Sequence, residues 1–235
     1  MYPNIVIGKL LIPSWFTMVI IGAFITTLLA IHSRPQNFPL SRKGIFIIAL
    51  ALTVFGLIGA RILFILIHPE APKNGFAYFG ALVFFMLVLL VCSVLRKLSL
   101  LTLLDYAMPF LMLSQFFVRI GCLMAGCCYG RPTDKFFGVT FKTVDGLSRH
   151  PTQAYEALAL FLIYRFGRII YNRYSQIRGL TMAGTLALYG LVRFFIEYLR
   201  TDSPSVLFNL SLAQVACLSL LLISVSCGAA LLWKR

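Results

Sequence analysis

Apolar residues in this chain run on for a whole helix at a time and are broken by short polar punctuation. Seven stretches, Leu11–His32, Gly44–Ile67, Phe76–Leu95, Leu101–Gly121, Thr152–Tyr171, Leu180–Leu199 and Leu207–Trp233, each predict a membrane-crossing helix, since about 20 apolar residues span a bilayer. The connections carry turn and breaker residues: "HSRPQNFPLSRKG", "HPEAPKNG", "YGRPTDKFFG" and "TDSPS". A transmembrane barrel would need segments of about 10 residues with alternating polarity, and the long continuous runs exclude it. The pattern therefore predicts an all-α, polytopic membrane protein, with residues 1–235 as a single transmembrane domain. The first run is long enough to stay as a span and is not expected to be a cleaved signal.

Composition sharpens this picture. The chain is 60% hydrophobic and 12% charged, with mean hydropathy +0.91, whereas soluble domains are about 25% charged. A net charge of +14 would suggest nucleic acid in a soluble protein. Here basic residues have a topological role at the ends of spans, and no nucleic-acid partner is expected. Arg34, Arg42 and Lys43, then Arg96 and Lys97, then Arg173 and Arg178, then Lys234 and Arg235 fall on one side if the spans alternate. That side is read as cytoplasmic, with the N-terminus outside and the C-terminus inside. Arg131, Lys135, Lys142 and Arg149 break the rule by lying outside. The basic segment 119–151 is accordingly expected to serve a ligand.

Charges inside spans are expensive and mark functional sites. They are few: Arg61, Asp105, Arg119, Glu156, Arg193 and Glu197. All but Asp105 sit toward the outer face, and Asp105 is expected to cap its own helix. In "YGLVRFFIEYLRTD", Tyr189, Arg193, Glu197 and Arg200 share one helical face. One reading is a self-neutralising Arg193–Glu197 pair. The other is a pocket with surplus positive charge that includes Arg61 and Arg119, suited to a phosphate because arginine stays charged and binds it bidentately. In "RHPTQAYEAL", His150 is a candidate base, acid or donor, with Tyr155 and Glu156 one turn into the next span.

Three motifs, "VRIGCLMAGCCYGR", "HPTQAYEAL" and "ALYGLVRFFIEYLRTDSP", together with the weaker "GLIGARILFILIHP", "LLDYAMP" and "SLAQ", resemble the bacterial prolipoprotein diacylglyceryl transferases. The resemblance covers nearly the whole chain, in the same order. It implies an inner-membrane enzyme that moves a diacylglyceryl group from phosphatidylglycerol to the lipobox cysteine of a prelipoprotein, with release of glycerol phosphate. It implies that Arg119 and Arg193 hold the lipid phosphate, and that Glu197, Arg200, His150, Tyr155 and Glu156 shape the site. Arg61, Gly121 and Gly126 are expected to contribute to substrate binding. Catalytic roles are expected for His150, Tyr155, Arg193 and Glu197, and no cofactor is expected.

The chain also departs from the family's pattern. Phe79 in "YFGAL" stands where the family places a histidine. Cys122, Ala125 and Cys127 replace asparagines and a glutamate, and Phe16 in "SWFTM" replaces a tyrosine. A related transferase with another acceptor, and a phospholipid-binding protein without activity, are the alternatives. Cys-x4-Cys-Cys matches no common zinc spacing, so no metal is expected. One reading bridges Cys122 to Cys127 or Cys128 as a disulfide, the adjacent Cys127 and Cys128 not being expected to pair with each other; another makes one of the three a thiolate nucleophile. The blander reading is small, soft packing at a crowded helix end.

Overall fold

The computed structural model describes residues 4–7, 10–70, 75–141, 145–200, 205–207 and 209–233. Lys142, Lys234, Arg235 and the start of "TDSPS" lie outside them. The described residues form seven helices: α1 (Ser14–His32), α2 (Arg42–Ile67), α3 (Tyr78–Arg96), α4 (Leu100–Ala125), α5 (Thr152–Tyr174), α6 (Leu180–Glu197) and α7 (Leu212–Trp233). Short antiparallel hairpins precede or connect them: β1 (Asn4–Ile7) with β2 (Leu10–Pro13) ahead of α1, β3 (Val139–Thr140) with β4 (Ser148–Arg149) between α4 and α5, and β5 (Ser205–Leu207) with β6 (Leu210–Ser211) between α6 and α7. All seven expected helices are present. Six are long and apolar enough to cross a membrane. The exception, α5, has the length, but Glu156, Arg165, Arg168 and Arg173 lower its apolarity. Two of these charges are absorbed by the protein itself. Glu156 is ion-paired and buried, and the Arg168 guanidinium lies 5.0–5.9 Å from the rings of Tyr106, Phe110 and Tyr171.

Local chemistry explains where the helices begin and end. Ser41 starts α2 by accepting a hydrogen bond from the Gly44 N–H at 3.1 Å. The start of α6 is capped from elsewhere. Gly179 at its N-cap has φ 93° and no side chain to offer, so the carboxylate of Asp105 takes over. Oδ2 accepts from Gly179 N at 2.5 Å and Oδ1 from Met182 N at 2.8 Å. Asp105 therefore caps α6 and not its own helix, where it sits in the second turn of α4. The physical reason is that α6's first N–H groups need acceptors, and a buried carboxylate needs donors.

The described residues fall into two compact units. One is Ala23–Leu104; the other comprises the residues up to Gly22 together with those from Asp105 onward. In the first unit α2 and α3 cross at glycines: a Cβ on Gly80 would collide with the Gly59 carbonyl, and Ala77 N donates to Ala60 O at 2.9 Å. Small residues at such a crossing let two backbones approach. In the second unit α4, α5 and α6 share a core of Met112, Leu160 and Ile163, packed by Leu111, Phe116, Tyr164, Leu188, Tyr189 and Val192. In a bilayer this core contributes through close packing and not through escape from water. It fixes the three helices that carry Arg119, Glu156, Arg193 and Glu197.

Candidate functional site

Five charged side chains from α4, α5, α6 and the turn after α6 form one chain of ion pairs. Arg119 Nη2 lies 2.8 Å from Glu156 Oε1, and Arg193 Nε lies 3.8 Å from the same oxygen. Arg193 Nη1 is 2.5 Å from Glu197 Oε2, which lies 3.9 Å from Arg200 Nε. The two carboxylates are buried, with side chains 2–3% exposed, while the arginines keep 13–18%. Three guanidiniums against two carboxylates leave one net positive charge, on the partly accessible side. The Nε of Arg119 is also buried without an acceptor among the described residues. Arg193 and Glu197 are thus not a self-contained pair but part of a network with one more guanidinium than carboxylate.

The end of α4 forms the lip of this network. Gly126 leaves the helix with φ 75°. Its N–H donates to Leu123 O at 3.3 Å, and the Cys127 N–H donates to Cys122 O at 3.2 Å. This is the Schellman arrangement, and it brings the side chains on either side of the glycine together. Here those side chains are Cys122 and Cys127. Cys128 follows with φ 62°, and the three sulfurs lie within 4.8 Å of one another. Donation from the Cys122 and Cys127 thiols, with the nearby Arg119 and Arg200 charges, holds the Cys128 thiol below its ordinary range. All three are free thiols.

Two residues that the sequence reading did not single out fix this turn. Thr152 Oγ1 donates to Cys128 O at 2.8 Å, and Gln153 Nε2 donates to Cys127 O at 2.5 Å. The adjoining backbone is laced between α5 and α6: Gly130 N donates to His150 O at 2.9 Å, His150 N to Arg131 O at 3.0 Å, and Arg131 N to Leu199 O at 2.7 Å. A Cβ on Gly130 would lie 2.6 Å from Leu199 O, so glycine is required there. His150 Nδ1 lies 3.3 Å from the Tyr155 hydroxyl, and both rings pack on Phe137. Gly121 has a packing role, since a Cβ there would meet Trp15 Cα of α1 at 2.8 Å.

Other expected members have local partners of their own or lie in the other unit. Arg61 belongs to the other unit, donates to Gly75 O at 3.0 Å and lies over the Phe76 ring. The ion pairs of the described residues do not include it. Phe79, also in that unit, is 72% exposed on α3. Arg149, expected to await a ligand, is held by Asp145, by Gly130 O at 3.2 Å and by the Tyr129 ring.

The model of the prolipoprotein diacylglyceryl transferase family matches residues 5–231. The chain is 31% identical to phosphatidylglycerol–prolipoprotein diacylglyceryl transferase 2 of Clostridium perfringens, over 93% of this chain and 92% of the relative. It is 29% identical to the Clostridium tetani transferase over 88% of both. It is 34% identical to the Campylobacter curvus transferase over 60% of this chain and 53% of the relative. A match of this extent, on a polytopic helical frame, means that the chain belongs to the prolipoprotein diacylglyceryl transferase family.

Proposed function

We propose that this protein is a transferase that moves a diacylglyceryl group from phosphatidylglycerol to the lipobox cysteine of a prolipoprotein. The observation that carries the reading is the Arg119–Glu156–Arg193–Glu197–Arg200 network, with its net positive charge and partly accessible guanidiniums. In the reaction the acceptor sulfur bonds to the glyceryl carbon as the carbon–oxygen bond to phosphate breaks. Glycerol phosphate leaves with the electron pair, and guanidiniums on its oxygens stabilise that charge. The acceptor thiol must lose its proton to attack, and the His150–Tyr155 pair is the candidate group to take it.

Direct transfer is favoured over a covalent step through Cys122, Cys127 or Cys128. A diacylglyceryl thioether on any of them would have to be displaced with an alkyl thiolate as leaving group, which is harder than displacing phosphate. The reading places the chain in the bacterial inner membrane, with the segment 119–151 facing outward. It is supported by six apolar helices and the distribution of cationic loops.

The test uses purified protein in phosphatidylglycerol micelles with a lipobox peptide, read by mass spectrometry. The expected product is a diacylglyceryl adduct on the peptide cysteine that Arg119→Ala abolishes. A second reading, a phospholipid-binding protein without activity, draws on Phe79 at a position where the family places a histidine. Under it no adduct forms, and copurified lipid is retained in His150→Ala but released by Arg119→Ala.

A further inference from the structure

We propose that Cys122, Cys127 and Cys128 form a three-thiolate site for a soft d10 metal ion, of the Cu(I) or Zn(II) class. The inference goes beyond the transferase reading and does not depend on it. Their spacing in the sequence matches no common zinc pattern. The fold creates one, because the Schellman turn at Gly126 sets Cys122 against Cys127, and the left-handed residue Cys128 turns the chain so that its sulfur joins them. All three Sγ atoms lie within 4.8 Å of one another. Metal–sulfur bonds of about 2.3 Å in a trigonal set separate sulfurs by about 4.0 Å, so binding requires a contraction of less than about 1 Å per pair.

The surroundings suit a metal thiolate. The cluster offers sulfur alone, which selects soft cations over hard ones. The backbone that presents it is fixed from α5, by Thr152 on Cys128 O and Gln153 on Cys127 O, so little ordering remains for the ion to impose. Cys127 is exposed and gives an entry path, while Cys122 and Cys128 are half-buried. Arg119 and Arg200 lie near enough to act on Cys128 electrostatically and offset the negative charge left when three thiolates meet a monovalent or divalent cation. On binding, whichever of the three sulfurs are still protonated release their protons to solvent and three metal–sulfur bonds form, with no change in oxidation state. A disulfide would use only two of the three converging sulfurs and needs an oxidant.

The experiment uses reduced, full-length protein in detergent micelles titrated with Cd(II), a spectroscopic stand-in for d10 ions. The ultraviolet thiolate-to-cadmium charge-transfer band should saturate at one ion per chain. The band should be lost in Cys127→Ser and in Cys128→Ser, and retained when Cys92, Cys217 and Cys227 are replaced together. Because Cys127 is exposed and serine is nearly isosteric, that variant is expected to fold, and a thermal melt checks it. No band in the wild type, or a band that survives Cys127→Ser and Cys128→Ser, overturns the site. So does an intact mass two hydrogens light after preparation without reductant, with a Cys122 disulfide found by peptide mapping, since that would make the cluster a disulfide in its own environment.

Discussion

Arg119 is tied to a buried carboxylate at one end and has an unsatisfied Nε at the other. Lysine there would keep the charge but lose the fork that can hold Glu156 and a phosphate oxygen together. Arg119→Lys should therefore lower kcat/KM for phosphatidylglycerol by roughly tenfold to a hundredfold, the equivalent of about 1.5–3 kcal/mol for one charged hydrogen bond. Initial rates against lipid concentration measure it, and an unchanged kcat/KM would remove Arg119 from the phosphate contacts. His150 and Tyr155 give a second contrast. If His150 accepts the thiol proton, His150→Ala should reduce kcat by about a hundredfold or more. Tyr155→Phe removes only a partner 3.3 Å away and should cost less. The reverse order would transfer the role to Tyr155.

At the scale of elements, the ends of the helices decide more than their middles. Asp105→Ala would leave the Gly179 and Met182 N–H groups without their acceptor at the start of α6. A loss of about 1–3 kcal/mol is expected from an unsatisfied buried donor, read as a lower melting temperature in micelles, with Asp105→Asn recovering part of it. The connection between α4 and α5 carries its own clasp. Arg149 binds Asp145 and holds its carboxyl below the ordinary carboxylate range. Since the folded value is the lower one, the stabilisation is present above the unfolded value, near about 3.9, and is lost as pH falls through the folded value. Acidification should accordingly lower the protection factor at Leu147, its exchange rate compared with the intrinsic rate at the same pH, because its N–H bonds Asp145 Oδ1 at 3.1 Å. Asp145→Asn should exchange fast already at neutral pH.

For the whole molecule, the distribution of cationic connections predicts which ends face which side of the membrane. With the native cysteines replaced, a thiol introduced by Asp134→Cys should react with a membrane-impermeant maleimide on intact cells. One introduced by Ser99→Cys should react only after permeabilisation. The opposite pattern would invert the orientation and move the charged network to the cytoplasmic side. Both positions lie in connections that flank α4, so the comparison tests one helix directly.

Much of this protein was legible without coordinates, because crossing a bilayer imposes length and apolarity on each segment and leaves few charges to interpret. The seven helices, the face shared by Arg193, Glu197 and Arg200, and the singling out of Arg119 and Glu156 as intramembrane charges follow from periodicity and from the expense of intramembrane charge. What required tertiary structure was the choice of partners. Glu156 links Arg119 to Arg193 across three helices, Asp105 caps α6 in place of its own helix, and Arg61 answers to Gly75 in the other unit. The Cys122–Cys127–Cys128 cluster lay between the two. Gly126 followed by cysteine, with another cysteine four residues before it, is a readable Schellman signal, but only the turn's geometry brings the third sulfur in. Local pattern records what each segment must bury. Which buried group meets which depends on contacts between segments distant in sequence, and these exist only once the helices have packed.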